Sequence, residues 1–216
     1  MAHVSTTFNP LVHGFRFINR FDFPYLFNVN LPLIGSRGIG DIVIGLCGGM
    51  CASALDYYKA GVPVPTEPIV DNIELKLFRY LWNRQMDTLS TPVLERLLTW
   101  AIFDTRTLSR LVTRDEVPKL MQRLDAKQPV ILVLLRARGF LSLTQNHQVL
   151  AVGYDYDPTT KDLSINLYDP NHPGQKPTLN MNLTYPGSGI KLSQSTGEPL
   201  RAFYVTDYTQ STPPAA

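Results

Sequence analysis

Cysteine is scarce in this sequence of 216 residues, with only Cys47 and Cys51, and histidine is scarcer than in a metal-rich protein, with four. Two thiols four positions apart cannot build the disulfide framework of a small secreted domain, and that spacing suits one face of a helix with reduced thiols. Charged residues make up only 18% and nearly cancel, leaving a net charge of +2. No run of Lys and Arg gathers into a stripe that would track phosphates, so a nucleic-acid partner is not expected. Long apolar runs are missing too. No stretch approaches a membrane span, and Met1-Ala2-His3-Val4-Ser5 lacks a basic region followed by an apolar one, so a cytoplasmic protein is expected. The four histidines show no ligand spacing, so neither a metal nor any other cofactor is expected.

What is abundant is apolar and aromatic: 44% hydrophobic residues, with 10 Tyr and 10 Phe. Such a chain can bury a core without staples. Residues 1–40 carry Pro10, Pro24, Pro32, a series of phenylalanines, and Gly35, Gly38 and Gly40, a composition of extended, packed segments. From Cys47 the small and apolar residues through Ala60 read as a buried helix that Gly61 ends. A second helix is expected from Thr66-Glu67-Pro68 to about Leu89, with Ile69, Ile73, Leu77, Tyr80 and Leu81 on one stripe. Thr91-Pro92 opens a third through Ile102. Thr113-Arg114-Asp115-Glu116 has capping-box spacing for a fourth that carries Leu120, Met121 and Leu124, while Arg106, Arg110 and Arg114, at helical spacing with Asp104, Asp115 and Glu116 among them, read as a solvated, salt-bridged face.

Beyond Gln128-Pro129 the pattern turns to strands. Val130–Leu135 is a continuous apolar run, as for a strand buried on both faces. Further strands are expected over 147–155, 163–168, 178–183, 190–192 and 202–208, with turns at Asp157-Pro158 and Pro186-Gly187. Helices followed by strands point to an α+β protein with a cleft between its halves. The single domain is placed at 1–209: an aromatic segment 1–40, a helical lobe over about 41–127 and an antiparallel β lobe over about 128–209, with 210–216 a flexible tail.

Cys47 carries the sharpest chemical signal. A thiol at a helix start lies in the positive end of the helix dipole, which favours thiolate. The side-chain-free Gly45, Gly48 and Gly49 would let a substrate carbonyl approach the sulfur, although small residues also serve tight helix packing. Cys51, one turn further in, has apolar neighbours and reads as core. His147 opens the strand His147-Gln148-Val149-Leu150, where a general base would be held firmly. Asp169 ends the next strand, and two adjacent antiparallel strands would bring its carboxylate to the imidazole. Gly48, through the backbone N–H groups at the helix start, and Asn146 and Asn171 are candidates for substrate or oxyanion contact, Asn171 also as an alternative orienter of the ring. His172 offers a second imidazole in a proline-flanked turn.

With Gly45-Leu46-Cys47-Gly48-Gly49-Met50 on a helix, His147-Gln148-Val149-Leu150-Ala151-Val152-Gly153-Tyr154 on a strand and Leu167-Tyr168-Asp169-Pro170 after the next, the chain resembles the papain-like cysteine peptidases. The likeness is to their short bacterial branch with Asp as third member. It covers roughly residues 40–208 and implies a helical lobe packed on a β-sheet lobe, a Cys-His-Asp triad, a peptide or amide substrate and no cofactor. Where papain itself has an oxyanion-donating glutamine, this chain has Asp41, which cannot donate when ionised. Transglutaminases and arylamine acetyltransferases share the Cys-His-Asp order, so acyl transfer to an amine is the alternative reaction. A non-catalytic binding module that retains the fold is a third reading.

Overall fold

The computed structural model describes residues 1–21, 45–136, 138, 139, 145–184 and 189–215. Strand β1 (Ala2–Ser5) and the short helix α1 (Pro10–His13) precede helix α2 (Cys47–Ala60), a 3-10 turn over Val70–Asn72, and helices α3 (Leu75–Thr88), α4 (Thr91–Ile102), α5 (Thr105–Leu111) and α6 (Val117–Asp125), α5 and α6 being joined by a π turn over Val112–Glu116. Strands β2 (Val130–Leu135), β3 (His147–Tyr156), β4 (Asp162–Tyr168), β5 (Thr178–Asn182), β6 (Ser193–Gln194) and β7 (Ala202–Val205) follow. They form a curled antiparallel sheet in the order β6-β5-β4-β3-β2-β7, with β1 added on β3. Among the described residues no helix is long and apolar enough to cross a membrane.

Mixed helix and sheet was expected, but the helices do not gather into one lobe. Alternation along β3 divides two cores. Val149 and Ala151 face α4, α5 and α6, while Leu150 and Val152 face α2, α3 and the N-terminal aromatics. β2 is buried along its whole length, as its unbroken apolar run predicts. The aromatic segment supplies core: Phe8, Phe15, Phe17 and Phe21 are buried, Phe17 edge-on to Phe21 and Phe21 against Phe78 of α3. β1 was not anticipated. It reaches the edge of β3 because Gly153 has no side chain, since a Cβ there would stand 2.5 Å from the Val4 carbonyl oxygen. The features expected at Pro24, Pro32, Gly35, Gly38, Gly40, Asp41 and Pro186-Gly187 lie outside the described residues.

Other boundaries depart from expectation for local reasons. Helix α3 starts at Leu75, not near Pro68: Val64 and Val70 are buried as anchors of an extended strap, and Ile69 is exposed rather than on the stripe. Thr113 does not open a helix. Its hydroxyl bonds back to the Ser109 carbonyl inside a continuous helical run, and the π turn aims Glu116 into the core instead of the solvated face. There Glu116 accepts from the Val205 backbone N–H at 2.8 Å and pairs with Arg96 and Lys119, fixing α6 to the edge of β7. Ile190 and Leu192 are buried without forming a strand, and pairing resumes at β6. The C-terminal residues, expected as a flexible tail, lie against α2 and α3. Ser211 N–H donates to Asp56, the Pro214 carbonyl accepts from Tyr57, and the Thr209 carbonyl accepts from Arg84.

Candidate active site

The fold brings Cys47, His147 and Asp169 together. Cys47 is the first residue of α2, which lies on the face of β3 that carries Leu150 and Val152, so the helix start meets the start of that strand. Asp169 follows β4, the antiparallel neighbour of β3. His147 Nε2 lies 2.6 Å from Asp169 Oδ1, with the imidazole 3% exposed and the carboxylate fully buried. The ring is also close enough to the Cys47 sulfur for the charge of each to bear on the other. With Nε2 committed to Asp169, Nδ1 is the nitrogen left for the thiol.

Charge is arranged to hold a thiolate. Burial alone would push the Cys47 thiol up, but the imidazolium of His147, its hydrogen bond and the N–H groups of Gln148 and Gly48 outweigh it, so the thiol titrates below its ordinary value. The Gln148 N–H lies 3.3 Å from the sulfur. Burial would likewise lower His147, yet the Cys47 charge and Asp169 push it up to about 9. Asp169 is held below the usual carboxylate range: burial opposes this, and the hydrogen bond and charge of His147 and the Asn171 N–H overcome it. The three groups are coupled: the charge of His147 favours the thiolate of Cys47 and the carboxylate of Asp169, and both in turn favour the imidazolium.

Cys51 is the contrast. It is fully buried, its sulfur faces the Gln148 carbonyl at 3.6 Å, and burial together with the charges of Cys47 and Asp169 drives its thiol well up. It is core, as its apolar neighbours suggested.

Gly48 and Gly49 serve close packing. A Cβ on Gly48 would lie 1.6 Å from Gln148 Oε1 and 2.3 Å from Thr88 Oγ1, and one on Gly49 would lie 2.1 Å from the Leu81 carbonyl oxygen. Helix α2 therefore presses its N-terminus directly onto α3 and β3. This corrects the expectation that their missing side chains leave room for substrate. The N–H of Gly48 instead adds to the positive environment that lowers the Cys47 thiol. Gln85 of α3 accepts the Gly49 N–H at 2.9 Å, which satisfies a backbone donor that the helix start leaves open.

Asn171 does not replace Asp169: its Oδ1 accepts from Asn19 at 2.9 Å, and only its backbone N–H reaches the Asp169 carboxylate. Asn146 Oδ1 accepts the Arg136 N–H at 3.0 Å, across the facing ends of β2 and β3. His172 turns away to Glu198 at 2.6 Å. Sequence patterning missed Asn19, a polar residue in the phenylalanine-rich N-terminal segment. Its N–H donates to the Pro170 carbonyl, its Nδ2 to Asn171, and its Oδ1 accepts the Leu46 N–H at 2.5 Å. It thereby ties the residue before Cys47 to the turn after Asp169. No spacing rule could find it, because its partners are distant in sequence.

Two surface pockets lie away from the triad, one of about 690 Å³ bordered by Asp155, Asp162 and Asn180, the other of about 330 Å³ between Val64, Glu67 and Pro214. Among the described residues no three His, Cys, Asp or Glu side chains are grouped as metal ligands would be. Comparison of the chain with models of protein families, with curated proteins and with solved structures finds no match in any of the three.

Proposed function

We propose that this chain is a cysteine-dependent hydrolase of papain-like type, acting on a peptide or another amide. The observation that carries the reading is the convergence of the Cys47 sulfur, held by the N–H of the residue after His147, with the His147 ring and the buried Asp169 carboxylate that the ring bonds. A buried ion pair is costly to maintain, and a thiol kept ionised at neutral pH beside a protonated base is what nucleophilic attack on a carbonyl requires. The Cys47 thiolate attacks the carbonyl carbon. As the tetrahedral intermediate collapses, the carbon–nitrogen bond breaks and His147 passes its Nδ1 proton to the departing amine, leaving a thioester on Cys47. Water then attacks the thioester with His147 as base, releasing the acid and restoring the thiolate. Throughout, Asp169 keeps the ring oriented and stabilises its charged form.

The test is a screen of fluorogenic peptide and amide substrates with the intact chain and Cys47→Ala, with intact-mass detection of an acyl adduct and product analysis in the presence of an added amine. The expected result is Cys47-dependent release of amine and a transient adduct on Cys47. Turnover that survives in Cys47→Ala would contradict the proposal, and transfer of the acyl group to the amine in preference to water would make the enzyme an acyltransferase.

A further inference from the structure

Asp169 has a second oxygen, and it is not left to solvent. Oδ2 accepts from Gln194 Nε2 at 2.7 Å, and Gln194, at the end of the two-residue strand β6, is 4% exposed. The other end of the same amide, Oε1, accepts from Arg136 Nη2 at 3.0 Å. Arg136 follows β2 directly, so strands from opposite sides of the sheet order meet behind the carboxylate. The chemistry admits one orientation of that amide. A guanidinium only donates and an ionised carboxylate only accepts, so Gln194 must offer its oxygen to Arg136 and its nitrogen to Asp169.

We propose that Gln194 is a positioning residue, oriented by Arg136, that pins the Asp169 carboxylate so that Oδ1 stays on His147. This rests on the triad reading above. A carboxylate is a two-fold rotor about its last bond, and one hydrogen-bonded oxygen does not stop it turning. Asn171 N–H and His147 hold Oδ1, and Gln194 holds Oδ2, so rotation would break bonds at both ends. The titratable and charged groups around the carboxylate are His147 of β3, Cys51 of α2, Tyr168 of β4 and His172 of the turn after it, with Arg136 and Glu198 beyond Gln194. The role also gives so short a strand as β6 a purpose: pairing of Leu179 with Gln194 and the Gly197 N–H on the Gln194 carbonyl place this one side chain.

The test uses the full chain, with iodoacetamide as the probe of Cys47 at neutral pH and proton NMR for the hydrogen-bonded imidazole N–H of His147. The variants are Gln194→Met, which keeps the length without a donor, Arg136→Met, and Arg136→Lys, which keeps a charged donor. Circular dichroism and the thermal midpoint check folding. Gln194→Met is expected to slow alkylation about 10–100-fold and to broaden away the downfield N–H signal. Arg136→Met should shift both readouts the same way, and Arg136→Lys should restore them. If Gln194→Met fails to fold, the contrast between Arg136→Met and Arg136→Lys decides. Wild-type rate and signal in folded Gln194→Met, with both lost in His147→Ala, would overturn the positioning role and leave the triad standing. Absence of both in the wild-type chain would instead overturn the triad, and this role with it.

Discussion

His147→Ala is expected to lower any Cys47-dependent turnover on the order of 10²–10⁴-fold, the usual contribution of a positioned acid–base group. The loss has two parts that pH separates. In the intact chain activity should rise as pH passes upward through the lowered Cys47 value and fall again as His147 loses its proton near 9. Without the imidazole, burial dominates at Cys47, so thiolate should form only above the ordinary cysteine value of about 8.5. Residual activity in His147→Ala should therefore climb through the alkaline range where that of the intact chain declines. Measuring kcat/KM against pH for both proteins checks this, and parallel profiles would contradict it. Asp169 remains buried in the variant with Gln194 and the Asn171 N–H as partners, so some loss of stability is also expected.

Asp56→Ala is expected to cost about 3–5 kcal/mol of stability, the range for breaking a buried charge pair from one side. Asp56 is fully buried in α2, the helix that presents Cys47. Its carboxylate takes Arg84 Nε at 2.8 Å, the Tyr80 hydroxyl at 2.8 Å, the Tyr208 hydroxyl at 2.6 Å and the Ser211 N–H at 2.8 Å. One side chain thus joins α2 to α3 and to the C-terminal residues, and its removal leaves four donors short of an acceptor. Arg84 keeps Asp87 and the Thr209 carbonyl, which limits the damage. Urea denaturation is the measurement. Asp56→Asn, which retains an acceptor but loses the charge, should lose less than Asp56→Ala, and a loss under about 1 kcal/mol for Asp56→Ala would show the cluster to be ornamental.

Legibility from sequence divides along a physical line. Elements specified by their own residues were readable: α2 from its small residues and terminal Gly61, α4 from Thr91-Pro92, and β2 from its unbroken apolar run. The three triad residues were readable because each sits at the end of such an element, where a side chain is held but not covered by its own strand or helix. Features set by partners far along the chain were not. Thr113-Arg114-Asp115-Glu116 has the letters of a helix start, yet the buried demand of Val205 for an acceptor draws Glu116 inward. Gln194 and Asn19 are ordinary polar residues until the fold sets Gln194 on the Asp169 carboxylate and Asn19 between Leu46 and the turn at Pro170 and Asn171. The glycines around Cys47 were visible, but what fills the space beside them, Gln148, Thr88 and the Leu81 carbonyl, is a matter of helix on sheet.

The most direct measurement of the central claim is the ultraviolet thiolate absorbance of the intact chain minus that of Cys47→Ala, followed from acid to alkaline pH. A Cys47 thiolate already present at neutral pH and lost only on acidification is the expected result, given the imidazolium and the N–H groups that face the sulfur. Thiolate that forms only near or above about 8.5 would mean that His147 does not hold Cys47 ionised, and the reading of this site as a nucleophile with its base would fail.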